Sequence, residues 1–368
     1  MDTLNQAHTQ WANRPDDERF TSLTNLGRYL DTLRANSRAL KAATRALEAR
    51  PVEGSDTGLV VVGPGGAPAG LTHWSFGQLA QRAGAPASYL RKLPAPLVAD
   101  CVNVGLAQRP VEDIGVLLQR DPTGLVDLRA VTGPEYGRVW NADVVAALAK
   151  RFGDGVTGHF RVPGIRGQAL AEVTKENTTL YASDRDMFVF LADEERRIEV
   201  PGRRDGQPGS LARGFFVWNS EVGSATFGVA TFLFDFVCQN RIVWGADEYR
   251  EIRIRHTSGA PDRWINEVAP ALERYAASSD ASVTKALAEA RRTKAGDGTP
   301  EGVRKVLEAR FTKSRAAAIS TAHMLEEGRP IETLWDVAVG VSAFARGVTY
   351  QDERVALERE AGEFLKVA

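Results

Sequence analysis

Between residues 184 and 256 lie the side chains best suited to chemistry. Asp184 and Asp186 are two apart, so on a strand both carboxylates would share a face, as a metal-dependent nuclease needs to hold a divalent cation. The surrounding Ser-Asp-Arg-Asp also reads as a hairpin tip whose acids face water. A second group is cationic. Arg196, Arg197, Arg203, Arg204 and Arg213 fall in RRIEVPGRRDGQPGSLARG, where glycines and prolines predict an exposed loop. Downstream, REIRIRHT alternates, with Ile252 and Ile254 on one strand face, Arg253 and Arg255 on the other, and His256 following. Guanidinium groups bind phosphates, and Trp218 and its aromatic neighbours offer stacking surfaces, the combination used by sequence-tolerant single-strand binders.

Other catalytic signatures are missing from the sequence. The five histidines never take the i, i+4 spacing of a helical metal pair. There is no G-x-S-x-G elbow and no H-E-x-x-H. GPGGAPAG lacks the Walker lysine and reads as a hairpin turn. No catalytic residue, metal site or cofactor is assigned, and Glu221 joins Asp184 and Asp186 only as a candidate for a metal-dependent enzyme.

These groups must be held by something. Leu23 to Arg50 has leucines at near-helical spacing and is predicted to be one helix, stopped by Pro51. TGLVVVGPGGAPAGLTHW predicts two short strands. SFGQLAQRAGAPASYLRKLP predicts a helical hairpin capped by Ser75 and broken at Gly84. GLVDLRAVT is a strand, and Asn141 caps a helix. From 156 to 256 the texture is β, and after 260 it is helical. The most apolar stretch, GFFVWNSEVGSATFGVATFLFDFVCQNRIVWG, carries Asn219, Ser220 and Glu221 at one end and Gln239, Asn240 and Arg241 at the other. Asn219 and Ser220 before Gly223 form a turn. Thr231 caps a helix, FLFDFVC, which Gln239 and Asn240 end. The expected fold is α+β: an antiparallel sheet with a central apolar helix, flanked by an N-terminal helical hairpin and a C-terminal helical region. Its parts are a helical segment over 1–52, an α+β core over 53–260 and a helical region over 261–368.

Composition, at 43% hydrophobic and 25% charged, allows a sizeable core. The net charge of −1 lacks the basic excess of many nucleic-acid binders. Charge is uneven, however: residues 285–315 hold nine basic against four acidic side chains, and the segment beyond holds nine acidic against five basic. Two scattered cysteines exclude a disulfide framework. With no spanning apolar run and no secretory pattern at the start, a cytoplasmic protein without membrane contact is expected.

The block WNSEVGSATFGVATFLFDFVCQNRIVWG followed by IRIRHT resembles the signature of the phage/plasmid-like family, domain of unknown function 932. PASYLRKLP, VTGPEYGRVWNADVVAAL and TLWDVAVGVSAFA are similar to other segments of that family, so the resemblance spans roughly residues 70–345. Arg241 stands where the family places a glycine. The arrangement also resembles that of phage single-strand-annealing proteins. These resemblances imply a mobile-element protein that binds nucleic acid, single-stranded DNA favoured, as a homo-oligomer. A protein-binding assembly or host-counteracting factor is the alternative, and a metal-dependent nucleic-acid-processing enzyme a third.

Overall fold

The computed structural model describes residues 15–64, 66–163, 170, 172–203, 206, 208–235, 240–242, 252–348 and 351–366. After a short strand, Arg19–Phe20 (β1), comes helix Leu23–Ala35 (α1), whose first turn is capped by Ser22 accepting the Asn25 N–H. Leu23, Leu26 and Leu30 form its buried face. The helix expected to run on to Arg50 stops here. Ser37–Ala43 (β2) and Glu48–Pro51 (β3) are strands. Leu40 on β2 and Leu47 just before β3 sit seven apart, a spacing that also suits one helix, and both join the same core.

Leu59–Val62 (β4) and Pro68–Leu71 (β5) form the predicted hairpin. Helices His73–Ala83 (α2), Ala87–Leu90 (α3) and Ala95–Gln108 (α4) follow. Thr72, rather than Ser75, caps α2, with the Ser75 N–H donating to the Thr72 hydroxyl. Gly84 closes α2 at φ 73°, where a Cβ would be strained. Asp113–Arg120 (β6) and Val126–Thr132 (β7) complete a six-stranded sheet in the order β2-β6-β7-β5-β4-β3. Side chains of α2 and α4 share one core with this sheet.

Helix Asn141–Phe152 (α5) leads into a larger sheet. Its further strands are Phe160–Arg161 (β8), Leu180–Ala182 (β9), Met187–Val200 (β10), Gly209–Asn219 (β11), Phe227–Asp235 (β12), Asn240–Ile242 (β13) and Ile252–Ile254 (β14). The order is β1-β9-β10-β11-β12-β13, with β8 on β10 and β14 on β12, and every pairing is antiparallel. On one face Val189, Leu191, Phe215, Val217 and Val229 pack against α1 and α5. On the other, Phe188, Phe190, Phe216, Trp218, Phe232 and Phe234 form an aromatic cluster.

The expected apolar helix FLFDFVC is therefore a strand as far as Asp235. Thr231 does not cap it but pairs with Phe215 across the sheet. Asn240 pairs with Asp235, opening β13 instead of ending a helix, and Gln239 lies outside the described residues. The cause is burial on both faces, which erases the alternation that would mark a strand.

Helices Ala260–Arg263 (α6), Ala269–Ala277 (α7), Ala281–Arg292 (α8), Pro300–Glu308 (α9), Lys313–Glu327 (α10), Leu334–Arg346 (α11) and Gln351–Lys366 (α12) complete the described chain. The helix apolar on nearly all sides is α11. It starts from a capping box in which Thr333 and Asp336 bond each other's backbone N–H. Around it the C-terminal helices pack on Ile198, Val200, Leu211 and Leu233 of the large sheet. The molecule is α+β, with an antiparallel sheet and a helical C-terminal region. No described helix is long and apolar enough to cross a membrane.

Candidate functional site

Asn219, Ser220, Glu221 and Gly223 form the turn leaving β11, and the six-stranded sheet docks on it. Ser220 Oγ accepts the N–H groups of Val222 and Ser224 at 3.2 and 3.0 Å and donates to the Arg185 carbonyl at 2.7 Å. Gly223, at φ 83°, supplies the left-handed step that reverses the chain. Asn219 Nδ2 donates to Val139 O and Asn141 Oδ1, both at 2.7 Å.

Glu221 has both carboxylate oxygens occupied. Oε2 is 3.1 Å from Arg129 Nη1, and Oε1 accepts the Asn141 N–H at 2.9 Å. The two side chains are 5% and 3% exposed, so this is a buried ion pair whose acid also caps the start of α5. The Val222 carbonyl accepts from Trp74 Nε1 and Gln78 Nε2, and its side chain packs on Leu117 and Ala130. The polar end of the apolar run is thus accounted for: its side chains satisfy backbone groups of another part of the chain.

Above this turn runs an extended segment, residues 136–140, tied to it and to the end of β14. Tyr136 OH donates to Ser220 O at 2.8 Å, and Arg138 Nη1 to Glu221 O at 3.2 Å. Gly137 N–H donates to His256 O, and His256 Nδ1 donates back to Gly137 O, both at 3.0 Å. A Cβ at Gly137 would lie 1.8 Å from the Thr257 carbonyl oxygen, so this approach requires glycine.

The side chains stack in sequence. His256 lies on Tyr136 with ring centroids 4.8 Å apart. The Arg138 guanidinium sits 5.3 Å from the Tyr136 ring and 5.6 Å from the Trp140 ring, and Arg34 is 5.4 Å from Trp140. The result is a ladder, Arg34–Trp140–Arg138–Tyr136–His256, alternating cations and rings at its centre. Tyr136, Arg138 and Trp140 are partly exposed, and Arg253 and Arg255, which lead into His256 along the chain, are exposed.

Burial pushes His256 down to about 4. Its Nδ1 carries the proton, since Gly137 O can only accept, which leaves a buried Nε2 lone pair with no partner among the described residues. Burial also raises the Tyr136 hydroxyl and lowers the Arg138 guanidinium from their ordinary values. Next to Tyr136 and Gly223 opens a cleft of about 420 Å³ whose polar lining includes Gln81, Arg82 and Arg109.

The arginines expected on an exposed loop are placed differently. β10 and β11 continue through most of that segment, pairing Arg197 with Ala212 and Val200 with Gly209. Arg203 is buried between Asp235 at 2.6 Å and Glu327 at 2.7 Å, and Arg213 is buried against Asp280 and Ser278. Arg196 pairs with Asp193 at 2.9 Å, and Arg197 with Glu194. Trp218 is buried in the aromatic cluster, with Arg253 5.8 Å above its ring. The expectation of an exposed basic loop is corrected: Asp235, Glu327 and Asp280 need counter-charges, and these arginines supply them. Arg204 lies outside the described residues, and Asn240 and Arg241 belong to β13.

The paired carboxylates do not converge. Ser183–Asp186 is the predicted hairpin tip, but it packs on the motif turn, and Asp186 turns inward to accept from Ser183 Oγ at 2.9 Å. Sequence reasoning missed Arg34, Arg129, Tyr136, Arg138 and Trp140. One signal was available: Tyr-x-Arg-x-Trp at 136–140 places three such side chains on one side of an extended segment.

No curated protein and no solved structure matches the chain. Residues 169–362, which include the turn, His256 and all but the last turn of the C-terminal helices, match the family described as Domain of unknown function (DUF932), and the chain belongs to that family.

Proposed function

We propose that this protein binds nucleic acid along its sugar–phosphate backbone, single-stranded DNA favoured, at the rim formed by the ladder and by Arg253 and Arg255. The ladder carries the reading. Rings and guanidinium groups in alternation, partly open to solvent, suit unpaired bases and phosphates without selecting sequence. The motif turn then acts as its mount, since Ser220 O and Glu221 O hold Tyr136 and Arg138. Further cations in the C-terminal helical region, Lys285, Arg292, Lys294 and Lys313, are exposed, although Arg304 and Arg310 in the same region are neutralised by Glu301, Glu308 and Glu360. A phage- or plasmid-borne role in annealing or recombination, as a homo-oligomer, is the setting we assign to this binding.

Fluorescence anisotropy with labelled single- and double-stranded oligonucleotides over a salt series tests the reading. The double variant R253Q/R255Q should bind more weakly, with the salt slope reduced by roughly 0.7 for each phosphate that is no longer neutralised. An unchanged slope would overturn the assignment of these arginines. A second reading, a protein-binding assembly factor, is favoured by one observation: α4 presents Leu97 and Val104 to solvent, 52% and 53% exposed, with exposed Cys101 between them. Light scattering on the same samples separates the two: protein that binds no oligonucleotide at low salt yet self-associates supports the second.

A further inference from the structure

The six-stranded sheet has a face that its helices cover incompletely. At the uncovered end lies a crevice of about 550 Å³, within the range of small-molecule sites. Its floor is aliphatic: Leu40, Val116, Leu118 and Leu128 from the sheet, with Pro64 and Ala67 from the β4–β5 turn as a wall. It presents no aromatic ring, so it lacks the stacking surface a base would use.

Strand register puts two cations at its mouth. Arg38 pairs across with Leu118, and Arg120 is the next residue after Leu118 on that face of β6. The two arginines are therefore diagonal neighbours, about 7–8 Å apart at Cβ, close enough for both guanidinium groups to meet one anion. Both are exposed, and neither side chain makes a hydrogen bond or ion pair among the described residues. The acids nearby are engaged elsewhere. Asp121 accepts from the Thr123 N–H and hydroxyl and the Leu125 N–H in its own turn, and Glu135 pairs with Lys41. Two uncompensated guanidinium groups at the lip of an aliphatic slot are complementary to one kind of molecule, an anionic head on a saturated chain.

We propose that this crevice binds a free aliphatic carboxylate, its head on Arg38 and Arg120 and its chain along Leu40, Leu118 and Leu128. The site stands apart from the nucleic-acid reading and does not depend on it. Titration calorimetry with dodecanoate, below its micelle concentration, should give one site per chain. Uncharged 1-dodecanol should bind about ten-fold more weakly or worse, since charge-assisted hydrogen bonds to the arginines are lost. R38Q/R120Q, which removes two exposed and unpartnered side chains, should leave the melting temperature unchanged. It should weaken dodecanoate by about ten-fold or more while leaving dodecanol as it was. Leu118→Trp, which fills the slot, should abolish both.

Equal affinity for acid and alcohol, full affinity in R38Q/R120Q, or binding that survives Leu118→Trp would each overturn the assignment. Vesicles of phosphatidylglycerol supply the remaining arm. If the protein co-sediments with them through Arg38 and Arg120 but does not bind dodecanoate, the ligand is a membrane lipid and the free-acid assignment fails.

Discussion

Replacing Glu221 tests the junction on which the ladder stands. In Glu221→Ala the Arg129 guanidinium, 3% exposed, loses its carboxylate and among the described residues keeps only the Asp184 carbonyl, 2.9 Å from Nη2. Taking one partner out of a buried ion pair costs about 3–5 kcal/mol, and the retained carbonyl places this case near about 3. The Asn141 N–H also loses its acceptor, equivalent to removing a helix cap, about 1 kcal/mol. The total, about 4 kcal/mol, is roughly three orders of magnitude in an opening equilibrium. Hydrogen exchange of the amides of α5 reads that equilibrium, because these amides open with the junction rather than one by one. Glu221→Gln separates the two contributions: its amide oxygen still accepts from Asn141, so only the charge share is lost. R129M/E221L should recover most of the stability, since neither charge is then left buried alone. An opening equilibrium that moves less than about ten-fold in Glu221→Ala would refute Glu221 as a buried counter-ion. So would a double variant as unstable as the sum of the single ones.

The other expectations concern charge and pH. Arg203→Met removes a buried counter-charge from Asp235 and Glu327 and should cost about 4 kcal/mol in thermal or urea unfolding. Lys41→Met, which breaks the exposed pair with Glu135, should cost under about 1 kcal/mol, and equal losses at the two sites would contradict the buried network. His256 is held neutral in the fold, at about 4 against its ordinary 6.5, so the unfolded chain takes up the proton first on acidification. The stability it contributes is complete above about 6.5 and is lost as pH falls toward about 4, a total of at most about 3 kcal/mol. Urea midpoints in that window should lose part of their pH dependence in His256→Gln, and an unaltered profile would show that the group titrates freely.

What could be read in the sequence, and what could not, follows from how far each contact reaches along the chain. The β4–β5 hairpin, the strand at 126–132 and the alternation of Ile252, Arg253 and Ile254 were legible because their signals are local. β12 was not, because Phe227–Asp235 is buried on both faces and its composition is that of a buried helix as much as of a central strand. Leu23 to Arg50 failed for the opposite reason, with one periodicity serving two kinds of element. Arg203 and Arg213 were misjudged because their partners, Asp235, Glu327 and Asp280, lie up to 124 residues away, and no local pattern announces a buried counter-ion.

The same distinction bears on where function resides. The turn 219–223 and His256 fall within the segment that matches the family, yet nearly every atom they offer is committed to holding the chain together. A turn so bound must keep its amide, hydroxyl, carboxylate and glycine whatever the molecule binds, because each satisfies a named backbone or buried group. Arg34, Tyr136, Arg138 and Trp140 precede that segment and keep exposed surface: the turn holds Tyr136 and Arg138, and Trp140 and Arg34 stack on from Arg138. The motif therefore marks a mount, and the surface it carries is set by residues outside the motif. Trp140→Ala against Glu221→Gln makes that division measurable. If oligonucleotide affinity falls in Trp140→Ala at unchanged melting temperature, while Glu221→Gln lowers the melting temperature first, mount and surface are distinct. If Glu221→Gln abolishes binding with the fold intact, the carboxylate itself belongs to the binding surface and this division is wrong.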